Sequence, residues 1–206
     1  NCFSLQGDDI ILRQSGKDET TFKRLSNAYG EALEWLKLPY CVQEVAFIAP
    51  DHFFFTAQYR LKQADGLNAD NYRIFEELPF WSNGRGDING LRTVLYQYDK
   101  GNVTLLSDTL ASVSELALSP DKHQLGYVLG KHSGKTYPDD KLLVMNTVSL
   151  DTKTWSVADS SSYGHVEEIF GGKSSTERCP LSIRFDKRKS KGTLRRRCLL
   201  SWQFLD

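Results

Sequence analysis

The sequence has no long apolar run, little histidine and few cysteines, and each shortage removes a class of function. Apolar stretches such as Ala46 to Ala49 and Phe53 to Phe55 are strand-sized, whereas a bilayer-spanning helix needs roughly 18 to 20 apolar residues. No membrane-spanning helix is expected. The histidines are His52, His123, His132 and His165, and none sits in a recognisable nucleophile-and-base motif. No two of them flank an acid at i, i+4, no two cysteines lie two residues apart, and no Gly-x-x-x-x-Gly-Lys-Ser/Thr loop occurs. Metal, cofactor and nucleotide hydrolysis are therefore not expected.

Only four cysteines are present, Cys2, Cys41, Cys179 and Cys198. They allow three pairings, and their placement favours a local scheme in which Cys2 meets Cys41 and Cys179 meets Cys198. Such bridges contribute about 2 to 4 kcal/mol each and persist in oxidising compartments, which points to a periplasmic or extracellular protein. Four free thiols in a cytosolic protein is the competing reading. The chain starts at Asn1, as a form trimmed of a targeting segment would. A lipid anchor on Cys2 is disfavoured by Asn1 before it, and a structural cysteine is expected.

What is present is ample material for a core, with 40% apolar and 12% aromatic residues in 206. It is also repetitive. Val42-Gln43-Glu44-Val45, Val113-Ser114-Glu115-Leu116 and Val166-Glu167-Glu168-Ile169 share the pattern Val-x-Glu-aliphatic. The first two run on into Pro50-Asp51 and Pro120-Asp121, which is turn chemistry because proline presets φ and aspartate accepts a local backbone hydrogen bond. Strands are predicted after each turn, over Phe53 to Tyr59 and Gln124 to Leu129. Further strands are expected over Thr93 to Tyr98 and Leu142 to Leu150. Asp-led turns at Asp99 and Asp151 should pass them into Val103 to Leu106 and Trp155 to Ala158. The later two Val-x-Glu copies lie 53 residues apart and the Asp-led turns 52 apart. One unit is repeated.

Four strands with a Ser-Pro-Asp-like turn between the first two and an Asp-led hairpin between the last two resemble the repeats of TolB-like and WD40-like β-propellers. The resemblance covers roughly residues 42–206 and implies antiparallel blades, of which a closed propeller needs about four to eight. Here there is material for about three. The first copy carries an insertion at about 61–92 that lengthens its period to 71 residues, and the third lacks Pro-Asp. Leu205-Asp206 matches Leu150-Asp151, so the last unit stops one strand short; strands at Cys2 to Leu5 and Asp9 to Gln14 are expected to supply the edge. Between them and the repeats, Phe22, Leu25, Tyr29, Ala32, Leu33 and Leu36 recur at three-to-four-residue spacing, which predicts an α-helix over about 19–36 ended by Pro39. The expected fold is thus mainly β: propeller-like, incomplete, antiparallel four-stranded repeats over 42–206, with strands and one N-terminal helix in 1–41 packed on them.

Two segments stand out as contact surfaces. The insertion carries Phe75, Leu78, Phe80 and Trp81, followed by Asn83-Gly84-Arg85-Gly86-Asp87-Ile88-Asn89-Gly90; long loops bearing aromatics are often functional. Arg-Gly-Asp within it, and the faint echo of a calcium loop in Asp87 and Asn89, are both adequately read as turn chemistry. Net charge is zero overall, yet Lys187, Arg188, Lys189, Lys191, Arg195, Arg196 and Arg197 cluster within eleven residues, a basic hairpin that favours an acidic protein partner over nucleic acid. The expectation is a non-enzymatic exported protein-binding module, an immunity or inhibitor-type protein being one instance. It would use Phe75, Phe80, Trp81 and Arg85 together with Lys187, Arg188, Lys189, Arg195, Arg196 and Arg197. The alternatives are a hydrolase-type enzyme with His52 and His123 at the centre of the repeats, and a subunit that completes its sheet with another chain.

Overall fold

The computed structural model describes residues 3–6, 9–26, 30–61, 75, 77–78, 81–131 and 139–155, together with the backbone of 165–171, 181–186 and 197–201. Among these residues every regular element is a strand. The first sheet has the order β1-β2-β3-β4, from β1 (Phe3–Gln6), β2 (Asp9–Ser15), β3 (Thr20–Ser26) and β4 (Ala32–Leu38). The second has the order β10-β9-β6-β5, from β5 (Val42–Ala49), β6 (His52–Arg60), β9 (Leu91–Asp99) and β10 (Asn102–Leu105). A small hairpin of β7 (Trp81–Ser82) and β8 (Gly86–Asp87) lies between β6 and β9 in sequence. The third sheet runs β11 (Ala111–Leu118), β12 (Gln124–Lys131), β13 (Asp139–Asn146), β14 (Thr152–Trp155), and the fourth β15 (His165–Gly171), β16 (Leu181–Asp186), β17 (Arg197–Ser201). All pairings are antiparallel between neighbours, so each sheet is a meander.

The helix predicted over 19–36 does not form; its residues make the hairpin of β3 and β4. Of the helical stripe, Leu33 is 66% exposed and only Phe22 is buried among the described positions. Thr20 and Phe22 point inward while Thr21 and Lys23 are less covered, which is period two, and adjacent β-branched threonines favour a strand. Gly30, at φ 68°, lies in the connection. Glu19 and Lys37 meet at 2.9 Å across the open end of the hairpin, a pairing that one straight helix would forbid. The first strands, expected to complete the last unit, are taken up in this sheet instead, with β1 paired to β2.

The chain divides into two compact units, one of residues 1–62 and 90–109, the other of 63–89 and 110–206. In the first unit a single core joins Ile11, Phe22 and Leu38 of the first sheet to Val42, Phe47, Phe53, Phe55, Ala57, Val94 and Tyr96 of the second. Residues on both sides of residue 41 thus contribute to this core. Aromatic pairs sit directly across the strands: Phe53 faces Tyr98 at 4.6 Å between centroids and Phe55 faces Tyr96 at 5.2 Å, both stacked. Such pairs add about 0.5–1.5 kcal/mol beyond area burial. Phe54 and Thr56 are buried too, so β6 is covered on both faces, which explains its near-continuous apolar run.

The second unit builds its core from the middle strands of the third sheet, with Leu125, Tyr127 and Val128 of β12 and Leu142 to Met145 of β13 buried. The first strand of the fourth sheet, β15, lies against β11, the first strand of the third. The Asp-led turn expected at Asp151 comes earlier. The Asn146 side-chain oxygen accepts from the N–H groups of Val148 and Ser149 at 2.9 and 3.0 Å, and this Asx geometry turns the chain before Asp151. The hairpin at Asp99 falls where expected, as a two-residue turn with both Lys100 (φ 48°) and Gly101 (φ 93°) left-handed, the combination that matches strand twist.

The shared Val-x-Glu motif acquires a structural meaning. Pairing of β5 with β6 shifts between Val42 and Glu44, that of β11 with β12 between Ser114 and Ala117, and that of β15 with β16 between Val166 and Glu168. All three copies encode a β-bulge in the opening strand of a sheet. At the second copy Glu115 adopts φ 57° to make it.

Candidate functional site

The described part of the insertion carries large apolar side chains in water. Phe75, Leu78 and Trp81 are 42%, 50% and 60% exposed. Trp81 is not loosely held: it opens β7, pairs with Asp87 across the hairpin, and lies over Gly86, where an added methyl group would stand 3.7 Å from the indole. Gly86 has φ 76° and Gly84 φ 78°, conformations that only glycine adopts without strain. The Arg85 N–H donates to the Ser82 carbonyl at 3.1 Å, closing the turn. Asp87 Oδ1 accepts from the Asn89 N–H at 3.0 Å, so the acid of Arg-Gly-Asp shapes the turn. The hairpin thus presents an exposed indole, with an exposed Arg85 in its turn.

The other expected contact residues are distributed differently. Phe80, Lys187, Arg188, Lys189, Arg195 and Arg196 lie outside the described residues, as do Cys2 and Cys179. Arg197 and Cys198 fall on β17, paired with Asp186 and Phe185. Cys41 is a free, half-buried thiol; it lies beside β5, and its carbonyl accepts from the Gln58 N–H at 3.3 Å.

The two histidines of the hydrolase reading sit in different units, each in the turn of its own sheet. His52 opens β6, with its Nε2 3.0 Å from the Gln97 side-chain nitrogen, which donates. His123 is exposed, and its N–H donates to Asp121 Oδ1 at 3.1 Å. No group of three or more metal-ligating side chains is found among the described residues.

The Ser119-Pro120-Asp121 turn holds a polar cluster. Ser119, buried, donates its hydroxyl to Asp121 Oδ1 at 2.5 Å and accepts from the Gln124 N–H at 2.9 Å. Thr147, also buried, ties the turn to the next one by donating to the Lys122 carbonyl at 2.8 Å. Partial burial pulls the Asp121 carboxyl up, but the Ser119 hydroxyl, the His123 N–H and the His123 ring outweigh it and hold the pKa below the usual carboxylate value. A carboxyl depressed in the fold stabilises above its unfolded pKa and loses that contribution as pH falls through the folded one, hence below about pH 4. Asp121→Asn is therefore expected to lower Tm near neutrality and to narrow the Tm gap to the native chain at pH 3. An acid profile parallel to that of the native chain would refute the assignment.

No protein-family model and no curated protein matches the chain. Solved structures do. An acylaminoacyl peptidase superposes with a TM-score of 0.54 at 12% identity, over 92% of this chain and 31% of its own. A variant of Synechocystis apocarotenoid oxygenase gives 0.51 at 12% identity, over 90% of this chain and 44% of its own. The chain thus spans under half the length of either. A hydrolase and an oxygenase share its arrangement of antiparallel sheets, so the likeness defines fold alone.

Proposed function

We propose that this chain is a non-enzymatic, exported protein-binding module in which propeller-like sheets carry an aromatic contact loop. The observation that supports this reading is the exposure of Phe75, Leu78 and Trp81 within one short segment, with Trp81 seated on a glycine-built hairpin. Tryptophan and arginine are the side chains most enriched among residues that dominate binding energy, and a rigid mount reduces the entropy lost on docking. The basic segment from Lys187 to Arg197 gives the partner its chemistry, an acidic protein surface. An immunity or inhibitor-type role is one form of this reading.

The test is capture from the source cells with native and variant chains. Trp81→Ala is expected to weaken retention of the captured partner at least tenfold, since truncating such an anchor costs about 2 kcal/mol or more. Leu33→Ala, which removes an exposed leucine from the first sheet, should leave it unchanged. Equal loss in both variants, or in neither, would reject the loop as the contact.

A second reading makes the chain itself a hydrolase-type enzyme, with a site at the centre of the repeats that uses His52 or His123. It is favoured by the likeness to the acylaminoacyl peptidase over 92% of this chain but only 31% of that one. Assay of the chain against peptide and ester substrates, with His52→Ala and His123→Ala alongside, separates the two. Turnover abolished by either substitution supports the hydrolase; no turnover, or turnover indifferent to both, leaves the binding module.

A further inference from the structure

The β9–β10 hairpin carries a chemical pattern that the contact loop does not use. Asn102-Val103-Thr104 is the single Asn-x-Ser/Thr sequence in the chain with a middle residue other than proline. That pattern is the acceptor for transfer of an oligosaccharide to an asparagine amide in a secretory compartment. By itself a tripeptide of this kind decides nothing, because many are buried or locked in the interior of a sheet.

Here the geometry favours modification. Asn102 is the first residue after the left-handed turn of Lys100 and Gly101, and it is exposed. Thr104, two residues on, lies on the same face of the strand and is exposed as well. Val103 points the other way, packing against the core of the first unit. The acceptor amide and the hydroxyl that the pattern requires thus share the solvent face, while the residue between them anchors the strand. β10 is also the edge of its sheet, with β9 its one neighbour among the described residues.

We propose that Asn102 is an N-glycosylation site, an inference that rests on the exported reading and specifies its extracellular form. In the transfer, the Asn102 amide nitrogen attacks the anomeric carbon of a lipid-linked oligosaccharide diphosphate. The new carbon–nitrogen bond forms as the bond from that carbon to the diphosphate oxygen breaks. The amide loses one proton and the lipid diphosphate departs with the electron pair, so nothing is oxidised or reduced. The attached glycan shields the outer edge of β10 from pairing with another chain.

The experiment is the intact mass of the chain recovered from its source cells, before and after peptide N-glycosidase, with a peptide map across residue 102. The expected result is a mass excess removed by the enzyme, with aspartate appearing at position 102. Expression of variants in the same cells should show loss of the excess in Asn102→Gln and Thr104→Ala and its retention in Thr104→Ser. A secreted chain with an unmodified Asn102 overturns the proposal while leaving export intact. Recovery only from the cytosol overturns both.

Discussion

Phe53→Ala is expected to remove about 3–5 kcal/mol from the stability of the first unit, a large part of the roughly 5–15 kcal/mol that holds a domain together. Phe53 has no exposed surface and its ring meets Phe22, Phe47, Phe55 and Tyr98 within 4.6 to 6.0 Å. These neighbours belong to both sheets of the unit. Collapse around the missing ring would have to move two sheets at once, so the cavity should persist and the cost should sit high in the range. Urea denaturation followed by tryptophan fluorescence measures it through the midpoint. A loss below about 1 kcal/mol would mean that the two sheets do not share this core.

Thr20→Val should destabilise the first unit although it preserves shape. The Thr20 hydroxyl is fully buried, donating to the Tyr40 carbonyl at 2.9 Å and accepting from the Val42 N–H at 3.0 Å. It stitches the first sheet to the start of β5. Valine keeps the volume and β-propensity but removes the hydroxyl bridge, leaving the Val42 N–H and the Tyr40 carbonyl only their direct bond to each other at 3.1 Å, at a cost of roughly 1–3 kcal/mol. Serine restores the hydroxyl, so Thr20→Ser should recover most of the loss, apart from about 1 kcal/mol for the methyl group. If valine were as well tolerated as serine, the bond would contribute nothing.

The strands that repeat were legible because their punctuation is local. Pro50-Asp51, Pro120-Asp121 and Asp99-Lys100-Gly101-Asn102 act through neighbouring backbone groups, and strands follow or flank them where expected. The hairpin of β3 and β4 was not, since Phe22, Leu25, Leu33 and Leu36 fall at helical spacing by coincidence of two strands. What decides between the readings is the cover that β5 and β6 lay over Thr20 and Phe22, which is tertiary. The turn at Asn146 was missed because a stronger turn residue, Asp151, followed close behind. For the insertion, aromatic content singled out the segment, but only the structure shows Trp81 mounted on the glycine hairpin.

The bulges at the three Val-x-Glu copies bear on how such a chain finds its fold. Successive meanders of similar sequence invite one sheet to borrow a strand from the next, or to pair one step out of line, and a slip by one residue turns every side chain to the wrong face. A bulge is a key that fits its partner strand at one position only. Placed in the opening strand, it fixes the alignment of the first two strands in each of these sheets, and the strands beyond them continue from that register.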